Sequence, residues 1–182
     1  MCLNLDGKVE DDSNTAGGAN YSAITALATR QAFGGTQLVG TEDDYYLLMK
    51  EISSDGNLNT VDVIFPSHPI FLYHNPDLLK RLLAPLLEYQ ESGLYPNSYA
   101  MHDMGSKYPN ATGHPDGDDE RMPLEESGDM IIMMLAYANY ANDTDYLAQH
   151  YPIMTQWAEY LRNESLIPAF QISTDDFQGA LA

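Results

Sequence analysis

Positive charge is scarce in this chain: 8 Lys and Arg residues stand against 27 Asp and Glu, a formal net charge of −19 over 182 residues. A surface so acidic repels nucleic acid and anionic membrane, which excludes both as partners on electrostatic grounds. Cysteine is nearly absent. The single Cys2 allows neither an internal disulfide framework nor a CxxC metal site, and its terminal position makes it a poor nucleophile. No stretch reaches the ~18 apolar residues of a membrane span, and the opening "MCLNLDGKVEDDSNTAGG" is polar and Gly-rich, unlike a signal peptide. A G-x-S-x-G elbow, a P-loop and a dinucleotide fingerprint are also missing. No cofactor is therefore expected.

What is present is a globular composition, 44% apolar and 10% aromatic, long enough to bury the core of one domain. Four N-x-[ST] sequons, at Asn20, Asn110, Asn142 and Asn163, point to a secreted glycoprotein. Residues 1–20 are expected to form a polar leading segment and 21–182 the folded domain. Ile24, Leu27, Ala28 and Gln31 recur at helical spacing up to Gly34–Gly35. "YYLLMKEI" followed by "SSDGN" predicts a strand entering a hairpin within about 45–62. "TVDVIFPSHPIFLYHN" stays ambiguous, β-branched at first and then broken by Pro66 and Pro69.

The clearest helix runs from Pro76 to about Ser92, with Leu78, Leu79, Leu82, Leu83, Leu86 and Tyr89 on one face and Gly93 as its stop. Pro85 inside it costs about 3 kcal/mol unless a kink absorbs it. Residues 93–122 carry Gly, Pro and aromatics without periodicity, a loop long enough to suggest a functional one. A second helix from Pro123 to Tyr140 is apolar nearly all round after Met130, the pattern of a helix buried on most sides. The stretch from Asn142 then begins with an Asp or Thr cap and sets Leu147, Tyr151, Met154, Trp157 and Leu161 on one face. These two helices form an αα-hairpin with an inner and an outer member.

The residues suited to chemistry are acidic. Glu125 and Glu126 open the second helix, where the helix dipole favours carboxylates by about 0.3–1 kcal/mol each. Starting the helix is reason enough for both. Adjacent helical side chains point about 100° apart, so only one of them faces a pocket squarely, and Glu126 is the choice here. Asp175 and Asp176 in "STDDF" are either a cap or a second acidic pair. His102 and Asp103 in "YAMHDMG" form a third group. Tyr99, His102 and Trp157 are candidate substrate-lining residues. Two carboxylates across an aromatic-lined cleft also suit glycoside hydrolysis. "HPDGDDE" (114–120) offers oxygen ligands for calcium but no EF-hand spacing, and reads first as a solvated acidic turn. His102 and His114 would join a metal site only if the fold brought them together, so no metal is assigned. Ser127–Gly128 is read as a helix-start pair.

"RQAFGGTQLVG", "EISSDGNLNTVDVIFPSHPIFLY", "LLAPLLEYQESGLYPNSYAMHDMGSKYPNATGHPDGDDERMPLEESGDM" and "IPAFQISTDDFQGALA" together resemble the fungal glutaminase A family, over about Tyr21 to Ala182. The resemblance implies an all-α fold, an (α/α)₆ toroid of the six-hairpin glycosidase type, of which this chain would be about the first half. It also implies a preceding β-rich domain, the remaining half of the toroid, and secretion. The implied activity is hydrolysis of L-glutamine to L-glutamate and ammonia. No activated Ser, Thr or Cys nucleophile is evident, so carboxylates would have to activate water. The rival readings are a glycoside hydrolase using the same carboxylates, a carbohydrate-binding domain, and an inactive fragment.

Overall fold

The computed structural model describes residues 2–51, 56–106 and 111–169. Chain packing divides it into two units, residues 1–36 and 37–182. The first unit is helical, as expected up to Gly34, and the polar leading residues are helical as well. α1 runs Cys2–Gly34 and breaks at Gly18, whose φ of 77° and ψ of −173° no helix contains. Only glycine reaches that backbone conformation without strain. The break turns the chain back on itself, so that Thr25 Oγ1 donates to Ser13 Oγ at 2.8 Å across twelve residues.

From the unit boundary onward come β1 (Thr36–Gly40) and β2 (Tyr45–Met49), paired through a turn in which Thr41 N donates to Asp44 O. The hairpin expected within 45–62 is present in short form, with Glu51 N donating to Asn57 O and Asn59 N to Met49 O around the Lys50–Leu58 bridge; the longer pairing is with β1, which was not expected. β2 pairs with the strand before it; beyond it, a single antiparallel bridge, Lys50 to Leu58, closes the segment that follows. The short connection at 41–44 lets β1 pair in register, whereas the chain after Leu58 is drawn into a helix. Asn59, at φ 51° and fully buried, fixes that departure. Its side chain accepts from Met49 N and donates to Leu82 O, both at 2.8 Å.

The ambiguous stretch is α2 (Val61–His74), despite two internal prolines. Pro66 and Pro69 remove N–H donors to the carbonyls of residues 62 and 65. His68 Nδ1 supplies a donor to Phe65 O in place of Pro69, and Ser67 Oγ bonds the carbonyls of Val63 and Ile64. α3 (Pro76–Glu91) follows at once, capped by Asn75, whose side chain accepts from Asp77 N at 3.1 Å. It continues through Pro85 and packs Leu79, Leu82, Leu83, Leu86 and Leu87 inward.

α4 (Pro123–Ala141) packs against α2, α3 and α6. It ends at Asn142, which takes the left-handed conformation at φ 53°. It is less enclosed than its composition predicts, since Ile132 and Leu135 are each 50% exposed. The expected partner helix is divided into α5 (Thr144–Gln149) and α6 (Tyr151–Glu164). Asp143 caps α5 through Tyr146 N. Pro152 has no N–H to continue α5 into α6, and His150 at the junction bonds Glu91 Oε1 at 2.8 Å instead. Among the described residues no helix is long and apolar enough to cross a membrane.

Candidate active site

The long loop is the scaffold of the site. Its stretch 100–105 is buried without regular structure, so every backbone polar group there needs a partner. Ala100 N donates to Ser127 Oγ, Met101 N to Gln90 Oε1, and Met104 N to Leu58 O. In return, Val61 N donates to His102 O and Leu58 N to Gly105 O. The loop is thus stitched between the start of α2, the end of α3 and the start of α4. Ser127, read as a helix-start residue, also anchors this loop, with its hydroxyl donating to Pro123 O at 2.6 Å. Farther along, Gly113 passes the Tyr89 ring so closely that a Cβ there would lie 2.2 Å from Cζ.

This threading brings His102 against two helix N-termini. Asp62 stands in the first turn of α2, and Glu125 and Glu126 in the first turn of α4. His102 Nε2 lies 3.7 Å from Asp62 Oδ1 and 3.7 Å from Glu126 Oε1. The His102 and Glu126 side chains are each 1% exposed, and Asp62 is 15% exposed. Among the described residues, neither Glu126 carboxylate oxygen has a hydrogen-bond partner, nor does His102 Nε2. On the far side of the imidazole, Nδ1 bonds Asp103 Oδ2 at 2.8 Å. Asp103 also meets His114 Nε2 at 3.0 Å and accepts from Gly105 N and from Asn57 Nδ2. Asp119 accepts from His102 N at 2.7 Å and from the Tyr95 hydroxyl at 3.2 Å.

The electrostatics follow from this packing. Burial, reinforced by Asp62, Asp129, Glu125 and Asp119, pushes the Glu126 carboxyl well above its ordinary range. Burial, with Glu125 and Asp62, raises Asp129 to about 7. Glu125 is raised by burial and by Asp62. Burial works against charge on His102, but the Asp103 hydrogen bond and the surrounding acids outweigh it, and the net shift is upward. The Asp103 bond raises His114 to about 9. Burial would raise Asp103, yet its bonds to His102, His114 and Gly105 N hold it well below the usual carboxylate range.

The cluster therefore joins three of the residues singled out in the sequence: Glu126, His102 and Asp103. Glu125 lies beside it, more exposed. Tyr99 is half-buried, edge-on to Tyr95 and 5.1 Å from the Tyr160 ring. Trp157 is wholly buried in the core on α6 and offers no surface to a substrate. Asp175 and Asp176 lie outside the described residues, as does Asn110, while Asn20, Asn142 and Asn163 are exposed. Within 114–120, Asp119 turns inward while Asp116, Asp118 and Glu120 face solvent, so these acids do not converge on one point. Asp62 and Asp129 were missed. The i, i+3 spacing from Glu126 to Asp129 was a usable signal; Asp62, inside an ambiguous stretch, gave none.

A family model described as the glutaminase A six helical-hairpin domain matches residues 18–182. The chain belongs to the glutaminase A six-hairpin family. It is 63% identical over 182 residues to glutaminase A of Aspergillus oryzae, covering 100% of this chain and 26% of that protein. It is also 39% identical to a probable glutaminase of Arthroderma benhamiae, over 94% of this chain and 26% of the relative. The chain thus spans about a quarter of the length of these glutaminase A relatives. For a six-hairpin family, the successive pairs α2–α3 and α4 with α5–α6 are the expected units, and the cluster sits where the loop between those pairs crosses their N-termini.

Proposed function

We propose that this chain carries the water-activating centre of a glutaminase, hydrolysing L-glutamine to L-glutamate and ammonia, with Glu126, His102 and Asp62 at the reacting atoms. One observation carries the reading: a carboxyl with 1% exposure, neither oxygen bonded among the described residues, set 3.7 Å from an imidazole nitrogen likewise unbonded. Leaving both groups unbonded costs several kcal/mol, a penalty expected where a site is built for something it must bind. Amide hydrolysis needs water deprotonated as it adds to the carbonyl carbon, and a proton delivered to nitrogen as the C–N bond breaks. Glu126, whose burial strengthens it as a base, takes the water's proton. Glu126 then returns that proton to the departing ammonia. His102, its Nδ1 tied to Asp103, presents Nε2 to the same gap and orients the water.

The test is ammonia release from L-glutamine by the folded chain and by Glu126→Gln. The expected result is loss of activity by a factor of ~10² or more, with the melting temperature kept or raised, because the amide removes a buried charge. Equal activity in the variant, or no release by the folded chain, overturns the reading. Reducing sugar released from a glycan without ammonia from glutamine would move these carboxylates to the glycoside reading.

A further inference from the structure

We infer that Asp62, His102 and Glu126 form a binding site for one divalent transition-metal ion. The inference rests on the reading of this cluster as the reaction centre, and it changes one part of it. Glu126 takes up a cation in place of the water's proton.

Three observations support it. The first is the donor set. One atom from each of Asp62, His102 and Glu126 lies within 4.8 Å of the others. Donors around a tetrahedral ion with bonds near 2.1 Å stand ~3.4 Å apart, so the 3.7 Å separations at His102 Nε2 need to close by only a few tenths of an ångström. The second is the orientation of the imidazole. Metal-bound histidines commonly give their other nitrogen's N–H to a carboxylate, which fixes the tautomer and strengthens the ligand. His102 does this through Nδ1 to Asp103 at 2.8 Å, and Asp103 is itself held by His114 and Gly105 N. The third is charge. The Asp62 and Glu126 carboxyls face one imidazole nitrogen, each at 3.7 Å, and Glu125 and Asp129 stand on the first turns of α4. A cation satisfies this assembly and the unbonded oxygens of Glu126 together.

The chemistry selects the ion. Calcium takes six to eight oxygen ligands and magnesium keeps most of its waters. Zinc accepts both imidazole nitrogen and carboxylate oxygen and keeps a fourth position open at reactive sites, so it fits one imidazole and two carboxylates, and manganese, which favours carboxylates, is the next candidate. A bound ion of this kind supplies Lewis acidity and lowers the pKa of a coordinated water. The protein supplies the pre-set imidazole and the buried pair of carboxylates.

The experiment uses the 182-residue chain, stripped with EDTA and dialysed free of chelator, titrated calorimetrically with Zn²⁺, Mn²⁺ and Ca²⁺. One equivalent of Zn²⁺ is expected to bind at micromolar concentration or below, with Mn²⁺ weaker and no stoichiometric Ca²⁺. Glu126→Gln and Asp62→Asn should each lose that equivalent, while Asp118→Asn, on the exposed turn, should keep it. Substituting Co²⁺ gives a second readout, a visible absorption band that both site variants lose. Circular dichroism confirms that the variants are folded. Absence of the equivalent in the folded chain, or its persistence in both site variants, overturns the proposal. The two readings fail separately: EDTA-insensitive ammonia release without Zn²⁺ binding refutes the metal alone, and Zn²⁺ binding without ammonia release refutes the glutaminase alone.

Discussion

At the scale of single residues, the site depends on a carboxylate that stands behind His102, on the side away from Nε2. Asp103 holds His102 on one side and His114 on the other. Of these three, His114 reports most directly on the network. Its Nε2 meets Asp103 and its Nδ1 lies 3.0 Å from Asp118 O. Both nitrogens act as donors in the imidazolium, which is the form favoured up to about pH 9. A histidine raised on folding from 6.5 to about 9 stabilises the fold fully below pH 6.5. That contribution fades as pH rises toward 9. The shift corresponds to ~3 kcal/mol at most. Urea unfolding at pH 6.5 and 9.5 should therefore show a loss of up to ~3 kcal/mol in the native chain beyond any loss in His114→Gln. Parallel pH dependence in the two proteins would remove the charged His114–Asp103 pair from the account. Little of this was legible in the sequence. "YAMHDMG" marked His102 and Asp103, but adjacent residues in an unplaced loop have no defined orientation, and His114, eleven positions after Asp103, stood at no spacing that would place it beside them.

At the scale of elements, helices were easier to read than the contacts that join them. α3 and α4 announced themselves through leucine spacing, Pro at the first turn and a stop residue. α2 did not, because Pro66 and Pro69 argue against a helix locally and the compensating bonds come from Ser67 and His68, whose side chains carry no signal of pointing inward. The joint after β2 was equally hidden. Asn59 bonds Met49 N and Leu82 O from a left-handed backbone position that asparagine tolerates better than alanine does. Asn59→Ala strands a buried donor and a buried acceptor and adds backbone strain. Each stranded group costs about 1–3 kcal/mol, so a loss of roughly 2–5 kcal/mol is expected in equilibrium unfolding. A loss below ~1 kcal/mol would show that water or a neighbour replaces both bonds. Because Asn59 lies two residues from the start of α2, the same variant should also weaken the hold on Asp62.

At the scale of the whole molecule, the family match establishes the six-hairpin class, yet composition alone overstated how completely α4 is enclosed. Helix α4 reads as apolar all round, but α2, α3 and α6 leave Ile132 and Leu135 half exposed among the described residues. The charge excess, by contrast, was fully legible, and it makes a prediction no single contact makes. With 27 acids against 8 bases, repulsion between carboxylates is summed over the folded surface and relaxes when the chain expands. Attractive pairs such as Lys80–Asp143 at 3.2 Å and Arg81–Asp77 at 3.4 Å are partly exposed and are worth ~0–1 kcal/mol each. Salt screens both kinds of interaction, with a Debye length of ~30 Å at 0.01 M falling to ~3 Å at 1 M. Since repulsive pairs outnumber attractive ones, screening should stabilise the fold. Raising NaCl from ~0.01 to ~0.5 M, with EDTA present to keep divalent ions out, should lift the melting temperature by several degrees. A chain of this size gains ~2–4 °C per kcal/mol, so such a rise corresponds to ~1–3 kcal/mol. A melting temperature that falls with salt would mean that the few ion pairs outweigh the charge excess, and that the acids are spaced or protonated well enough to carry no net repulsion.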